Sequence, residues 1–296
     1  MSNEINANEY VRTDLAAESE HFPSSNTSVK EYSELGCRVC DAVFEDAESH
    51  SSVGNGRYIT AYIGSPWLFD RRKSRLAIEA VSALLKRLIK PDFWHSNAPV
   101  LTVCLGNRHI TADAIGPLCA DKIIVTRHLK NKKRELFDSL GSRELAVLST
   151  GVTGNTGIEA FEMISACAKK IRPGLIICID ALTARNVDRL ASAIQLSDAG
   201  ISPGSGVGNS RPEISYKTLG IPVLSIGVPT VVQSSTLVYD ALDKAGIKNL
   251  SRSLIEVLEN EKSFFVTPKN TDVAVQSQAE IIAKAINRLF LGFCEL

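Results

Sequence analysis

Two aspartates and one glycine-rich loop carry the chemistry this chain can be expected to perform. An apolar run at residues 100–105 is followed by GNRHITAD, ending at Asp113, and an apolar run at 175–179 leads directly into Asp180. Residues 198–209 read DAGISPGSGVGN, and glycine's tolerance of positive φ and of close backbone approach marks this as a shaped loop. Gly204, Gly206 and Gly208 are expected to form a crevice wall. Two carboxylates in one apolar-walled crevice cannot both ionise cheaply, because desolvation and like charge raise one pKa and leave a single proton for the pair. Such a pair can take a proton from water and give one to a leaving amine, which is aspartic-type peptide hydrolysis.

Each aspartate also has a plainer reading. Asp113 precedes a helical run and could be an N-cap; Asp180 could end a strand or pair with Arg185. His109 lies four residues before Asp113, a metal-pair spacing only on a helix, and here it follows a Gly-Asn turn. Gly200, Ser202 and Gly204 match G-x-S-x-G, but Pro203 has no N–H where an oxyanion donor is needed. No glycine cluster satisfies a dinucleotide or P-loop fingerprint. No cofactor and no metal site are expected.

The elements that must position these groups follow from periodicity. Continuous apolar strands are expected at 100–105 and 175–179, with further strands at 58–63, 145–148, 191–196 and 223–226. Helices are expected at 70–90, with Ala77, Val81, Leu84 and Leu88 on one face, at 114–125, at 156–170 behind a Thr156/Glu159 capping box, and at 272–291. This alternation predicts an α/β fold with a twisted, largely parallel central sheet and helices on both faces, whose ligands bind at the carboxyl ends of the strands. Residues 1–55 show no sustained period and read as a loosely attached arm before a single domain at 56–296.

Composition removes other classes. Thirty-three basic and thirty-three acidic residues cancel, and the short basic run from Lys130 to Arg134 reads as an exposed loop, so direct nucleic-acid binding is not expected. There is no membrane-length apolar run and no secretory signal, which points to an intracellular protein. Seven scattered cysteines read as reduced thiols, with Cys37 and Cys40 left as a lone C-x-x-C of open role, half a metal site or a redox pair being the alternatives.

The motifs VRTDLA at Val11, CLGNRHITADAIGP at Cys104, STGVTGNTGIE at Ser149, CIDALTAR at Cys178, IQLSDAGISPGSGVGNSRPEIS at Ile194 and LGIPVLSIGVPTVV at Leu219 resemble those of the germination proteases of spore-forming bacteria. The resemblance runs from Val11 to about Val232 and resumes at Phe264. It implies a cytoplasmic endopeptidase of the spore core that degrades small acid-soluble spore proteins without a metal. It also implies a tetrameric assembly and a fold shared with the hydrogenase-maturation endopeptidases. The family's T-P-D-A-L-G motif carries over to Asp113, with Ala112 where the family has proline, and its I-D-A-L-A-[AS]-R motif carries over to Asp180. A self-processing zymogen is implied too. The acidic and bulky apolar pair in TDLA places the cut between Asp14 and Leu15, with residues 1–14 as propeptide. The alternatives are a metal-sensing maturation endopeptidase of the same fold and a non-catalytic spore-protein-binding homologue.

Overall fold

The computed structural model describes residues 5–6, 12–19, 27–45, 53–64, 70–204, 211–247, 249–260 and 264–292. Its centre is one mixed sheet. In chain order its strands are β1 (Thr27–Glu34), β2 (Cys37–Phe44), β3 (Gly56–Tyr62), β4 (Val100–Leu105), β5 (Leu145–Gly151), β6 (Leu175–Thr183), β7 (Ala193–Ser197) and β8 (Val223–Gln233), with a short ninth strand, Phe265–Val266, pairing with β8. Across the sheet they lie in the order β1-β2-β3-β7-β8-β6-β4-β5. The half running β8-β6-β4-β5 is parallel, as the continuous apolar runs predict. The half running β1-β2-β3-β7-β8 is antiparallel.

Strand alternation sorts the apolar side chains between two layers. Val100 and Cys104 of β4 and Ile177 and Ile179 of β6 face a core shared with α1 (Arg71–Leu88), α2 (Ile115–Ala120) and a long C-terminal helix (Thr271–Leu291). Leu101, Val103 and Leu105, with Ile176 and Cys178, face the opposite layer, where a helix over Ala160–Ile171 contributes Ile164 and Ala168. Helices therefore cover both faces, and α1 buries the predicted stripe of Ala77, Val81, Leu84 and Leu88. Asp70 starts α1 by accepting from the Arg72 and Lys73 N–H groups at 3.0 and 3.1 Å.

Several boundaries differ from the sequence expectations, each for a local reason. The helix expected from 156 starts at Ala160, because Gly157 adopts left-handed φ and ends a short turn, and the capping box is Glu159 with Glu162. The helix expected at 114–125 stops at Ala120. The basic run from Lys130 to Arg134 lies in two short helices, where Lys130 pairs with Glu144 at 2.6 Å.

The largest departure is in the first fifty-five residues, where β1 and β2 are full members of the sheet rather than part of a loose arm. Cys37 and Cys40 sit three apart on β2 and so point to opposite faces, which rules out a shared metal or a bridge between them. Residues 12–19 lie along the sheet as well. Leu15 is fully buried with Leu182, Ala184, Leu190 and Val232, and Ala16 packs with Ala42, Phe44 and Tyr58. This segment lies on the same face as the Ala160–Ile171 helix, since Ala42, Phe44 and Tyr58 alternate with the residues that face α1.

Candidate active site

Asp113 is positioned by a tight loop at the carboxyl end of β4. The chain leaves Leu105 through Gly106, turns back over residues 111–113, and enters α2 at Ile115. Gly106 has φ +107°, and a Cβ there would stand 2.2 Å from the Asp113 carbonyl oxygen, so only glycine lets the loop close this tightly. The Asn107 N–H donates to the Asp113 carboxylate at 2.8 Å, and the Thr230 hydroxyl of β8 donates to the Ala112 carbonyl at 2.6 Å. The turn thus reaches from β4 to β8, the two neighbours of β6, and spans the end of the strand that carries Asp180. Asp113 is not an N-cap of the following helix: its carboxylate closes its own loop.

Asp180 lies within β6, at the next position after Ile176 and Cys178 on the face covered by the Ala160–Ile171 helix. It is buried and accepts from the Ala181 N–H at 2.9 Å. Arg185 turns away to Asp240 and Asp243, at 3.5 and 3.3 Å, so the pairing of Asp180 with Arg185 does not occur.

The two carboxyls are electrostatically distinct. Burial pushes Asp113 up to about 6, against the opposing pull of the Asn107 N–H and the Arg211 guanidinium. Asp180 is held well above the usual carboxylate range, first by burial, then by the charge of Asp113, with Asp14 adding to it. Asp113 ionises while Asp180 is still neutral and meets no opposing charge from it; Asp180 would have to ionise beside a carboxylate already charged. Burial and mutual repulsion therefore favour a single proton on the pair, held more readily by Asp180. This is the arrangement a water-activating base and a leaving-group acid require.

The glycine loop contributes a cation at its foot. Arg211 donates its backbone N–H to the Pro203 carbonyl at 3.2 Å, joining the two ends of the loop. Its guanidinium pairs with Glu159 at 3.0 Å and also bonds Thr153. Gly204 belongs to the described part of this loop, whereas Gly206 and Gly208 lie outside the described residues. His109 is exposed, and among the described residues no group of three His, Cys, Asp or Glu side chains is arranged to hold a metal ion.

Asp14 and Leu15 lie beside this crevice. The Asp14 N–H donates to the Thr183 carbonyl at 2.9 Å, and the Thr183 N–H donates to the Asp14 carboxylate at 2.8 Å, so residue 14 is tied to the end of the strand bearing Asp180. Leu15 fills the apolar pocket behind it, a burial worth about 2 kcal/mol for a leucine. Downstream, Glu18 accepts from the N–H groups of Arg185 at 2.7 Å and Asn186 at 3.1 Å, from Arg189 at 3.1 Å and from the Thr13 hydroxyl at 2.7 Å. Between them, Gln195 of β7 donates to the Asp14 carbonyl at 3.0 Å and accepts from the Ala16 N–H at 2.8 Å.

Gln195, Arg189, Glu18 and Arg211 were not reached from the sequence. Gln195 had one local signal, an amide inside the apolar strand AIQLS, because a buried polar side chain needs a partner. The others show no local pattern.

Residues 4–264 match the sequence profile of the family described as germination protease. The chain is 35% identical to the germination protease of Clostridium acetobutylicum over 308 residues, covering 94% of each protein. It is 38% identical to that of Priestia megaterium over 278 residues, covering 89% of this chain and 74% of the other. Among solved structures, the [NiFe] hydrogenase maturation protease HycI of Thermococcus kodakarensis aligns with a TM-score of 0.35 and 16% identity, over 66% of this chain and 97% of that one.

Proposed function

The chain belongs to the germination protease family, and from that premise we propose that it is a self-processing aspartic-type endopeptidase that degrades small acid-soluble spore proteins during germination. The observation that carries this reading is the pair of raised carboxyls, Asp113 pushed up by burial and Asp180 by burial and the charge of Asp113, beside a docked Asp14 and Leu15. In this mechanism the Asp113 carboxylate takes a proton from water as the water oxygen adds to the Asp14 carbonyl carbon. Asp180 then gives its proton to the Leu15 nitrogen, and the bond between carbon and nitrogen breaks. The new carboxyl stays on Asp14 and the new amine on Leu15. Residues 1–14 are the propeptide, and no metal takes part.

Family membership supports the substrate class. Among the described residues no helix is long and apolar enough to cross a membrane; the spore core as its location rests on family membership.

The test is to incubate the purified chain with a small acid-soluble spore protein and to sequence the new N-termini. The expected result is cuts between an acidic and a bulky apolar residue, self-cleavage between Asp14 and Leu15, and no change on adding a chelator or nickel. Asp113→Asn and Asp180→Asn variants should fold and cut nothing. Full activity in both would overturn the dyad, and binding of the spore protein without cutting would identify the non-catalytic homologue instead.

A further inference from the structure

Gln195 occupies a position for which strand packing alone gives no reason. Its neighbours Ile194 and Leu196 face the α1 core, and Gln195 faces the other way, 6% exposed, within a strand buried along its whole length. The strand register aligns Gln195 with Gly227 of β8 and Gly227 with Asp180 of β6, so the three form one row on one face of the sheet.

The middle of that row must be empty. A Cβ at Gly227 would meet the Leu182 side chain at 2.3 Å, because Leu182 leans over it. The row is therefore a trough with a carboxyl at one wall, an amide at the other and an apolar floor. Residues 14–16 lie in this trough. Leu15 packs on Leu182, while the Gln195 amide spans the peptide on either side of it, donating to the Asp14 carbonyl and accepting from the Ala16 N–H.

From this geometry we infer that Gln195 is a catalytic residue of the self-cleavage, the hydrogen-bond donor to the carbonyl that water attacks. The inference rests on the cut falling between Asp14 and Leu15. As the water oxygen adds to the Asp14 carbon, the carbonyl oxygen takes on negative charge. The Gln195 N–H is already 3.0 Å from that oxygen in a buried site, where such a donor strengthens as the charge develops. The acceptor half of the same amide holds the Ala16 N–H and fixes the register of the segment against β7.

The test follows self-cleavage of the full-length chain as a single-turnover rate, alongside kcat and KM on a peptide copying residues 10–20. Gln195→Met and Gln195→Leu each lose the donor to Asp14 and the acceptor for Ala16. Each should melt close to wild type and lose about 100-fold in self-cleavage rate and in peptide kcat, with a much smaller change in KM. Unchanged rates, or a loss carried wholly by KM, would overturn the assignment.

A second measurement uses the folded wild type, in case the variants fold poorly. A peptide whose Ala16 N–H is replaced by an ester oxygen should be cut with about tenfold lower kcat/KM, and equal values would overturn the register role. A wild type that leaves the bond after Asp14 intact removes the proposed cleavage and Gln195's part in it together. A wild type and Gln195 variants that cut alike remove Gln195 alone.

Discussion

The parallel and antiparallel halves of the sheet do different jobs, and the seam between them is where the site lies. The parallel half, β8-β6-β4-β5, carries long apolar runs in β4 and β6 and both aspartates at or near its carboxyl ends. The face that bears Asp180 is covered by the Ala160–Ile171 helix. Residues 12–19 lie on the same face across the seam: Ala16 packs on the antiparallel half, while Asp14 and Leu15 are held by Thr183, Leu182 and Val232 of β6 and β8. Under the proposed function, proton transfer falls to the parallel half, whose crevices arise from parallel connections, and peptide holding to the seam where Gln195, Thr183 and Leu182 meet the segment.

Removing Asp180 should separate the two halves most sharply. Asp180→Asn is expected to slow self-cleavage by about 10³-fold or more, measured by the appearance of the Leu15 N-terminus, while residues 12–19 stay docked. The same change should stabilise the fold at neutral pH. A carboxyl whose pKa is raised by folding binds its proton more tightly folded than unfolded, so its contribution is lost as pH rises. For Asp113 that loss runs from about pH 4, the unfolded value, to about 6. Thermal unfolding at pH 4 and pH 7 checks this, and a wild type that gains more stability than Asp180→Asn over that range would contradict it.

Loosening the recognition half should cost less. Glu18→Ala removes the acceptor of four hydrogen bonds downstream of the cut and is expected to slow self-cleavage about 10- to 100-fold. Hydrogen exchange at the Ala16 amide should accelerate in the same variant, whereas in Asp180→Asn it should not. Equal exchange in both would mean that the two halves are not separable.

The smallest effect is expected at the seam. Arg211 lowers the pKa of Asp113, so the rate should fall as pH drops through about 6 in the wild type, and Arg211→Met should move that limb upward while changing the rate at pH 8 little. A pH–rate profile with an unmoved limb would place Arg211 outside the site.

The two halves also differ in how far sequence could reveal them. Buried parallel strands leave unbroken apolar runs, so β4, β6 and their aspartates were legible from residue type alone. β1 and β2 were not. β1 alternates between half-exposed and exposed positions at the sheet edge, and its hairpin turns through Leu35 and Gly36, both at positive φ, without an Asn-Gly or Asp-Gly signal. The holding residues were hidden for a different reason. Gln195 and Glu18 find their partners well over a hundred residues away, and such pairing leaves no local spacing to detect.

The segment at residues 12–19 is moored unevenly. Upstream of Asp14 the Arg12 N–H reaches Thr236 at 3.2 Å, and the Arg12 side chain approaches Glu259 at 3.9 Å. Beyond Asp14, Leu15 is sealed in its pocket and Glu18 is gripped from several sides. Under the proposed function, severing the chain after Asp14 would leave the leading fragment held by Arg12, Thr13 and the short pairing of residues 5–6 with 249–250, and the fresh end wedged like a doorstop in the channel that later guests must use. The first turnover would then be quick and the second delayed until that end works free, giving the enzyme a built-in pause between its own maturation and its appetite for others.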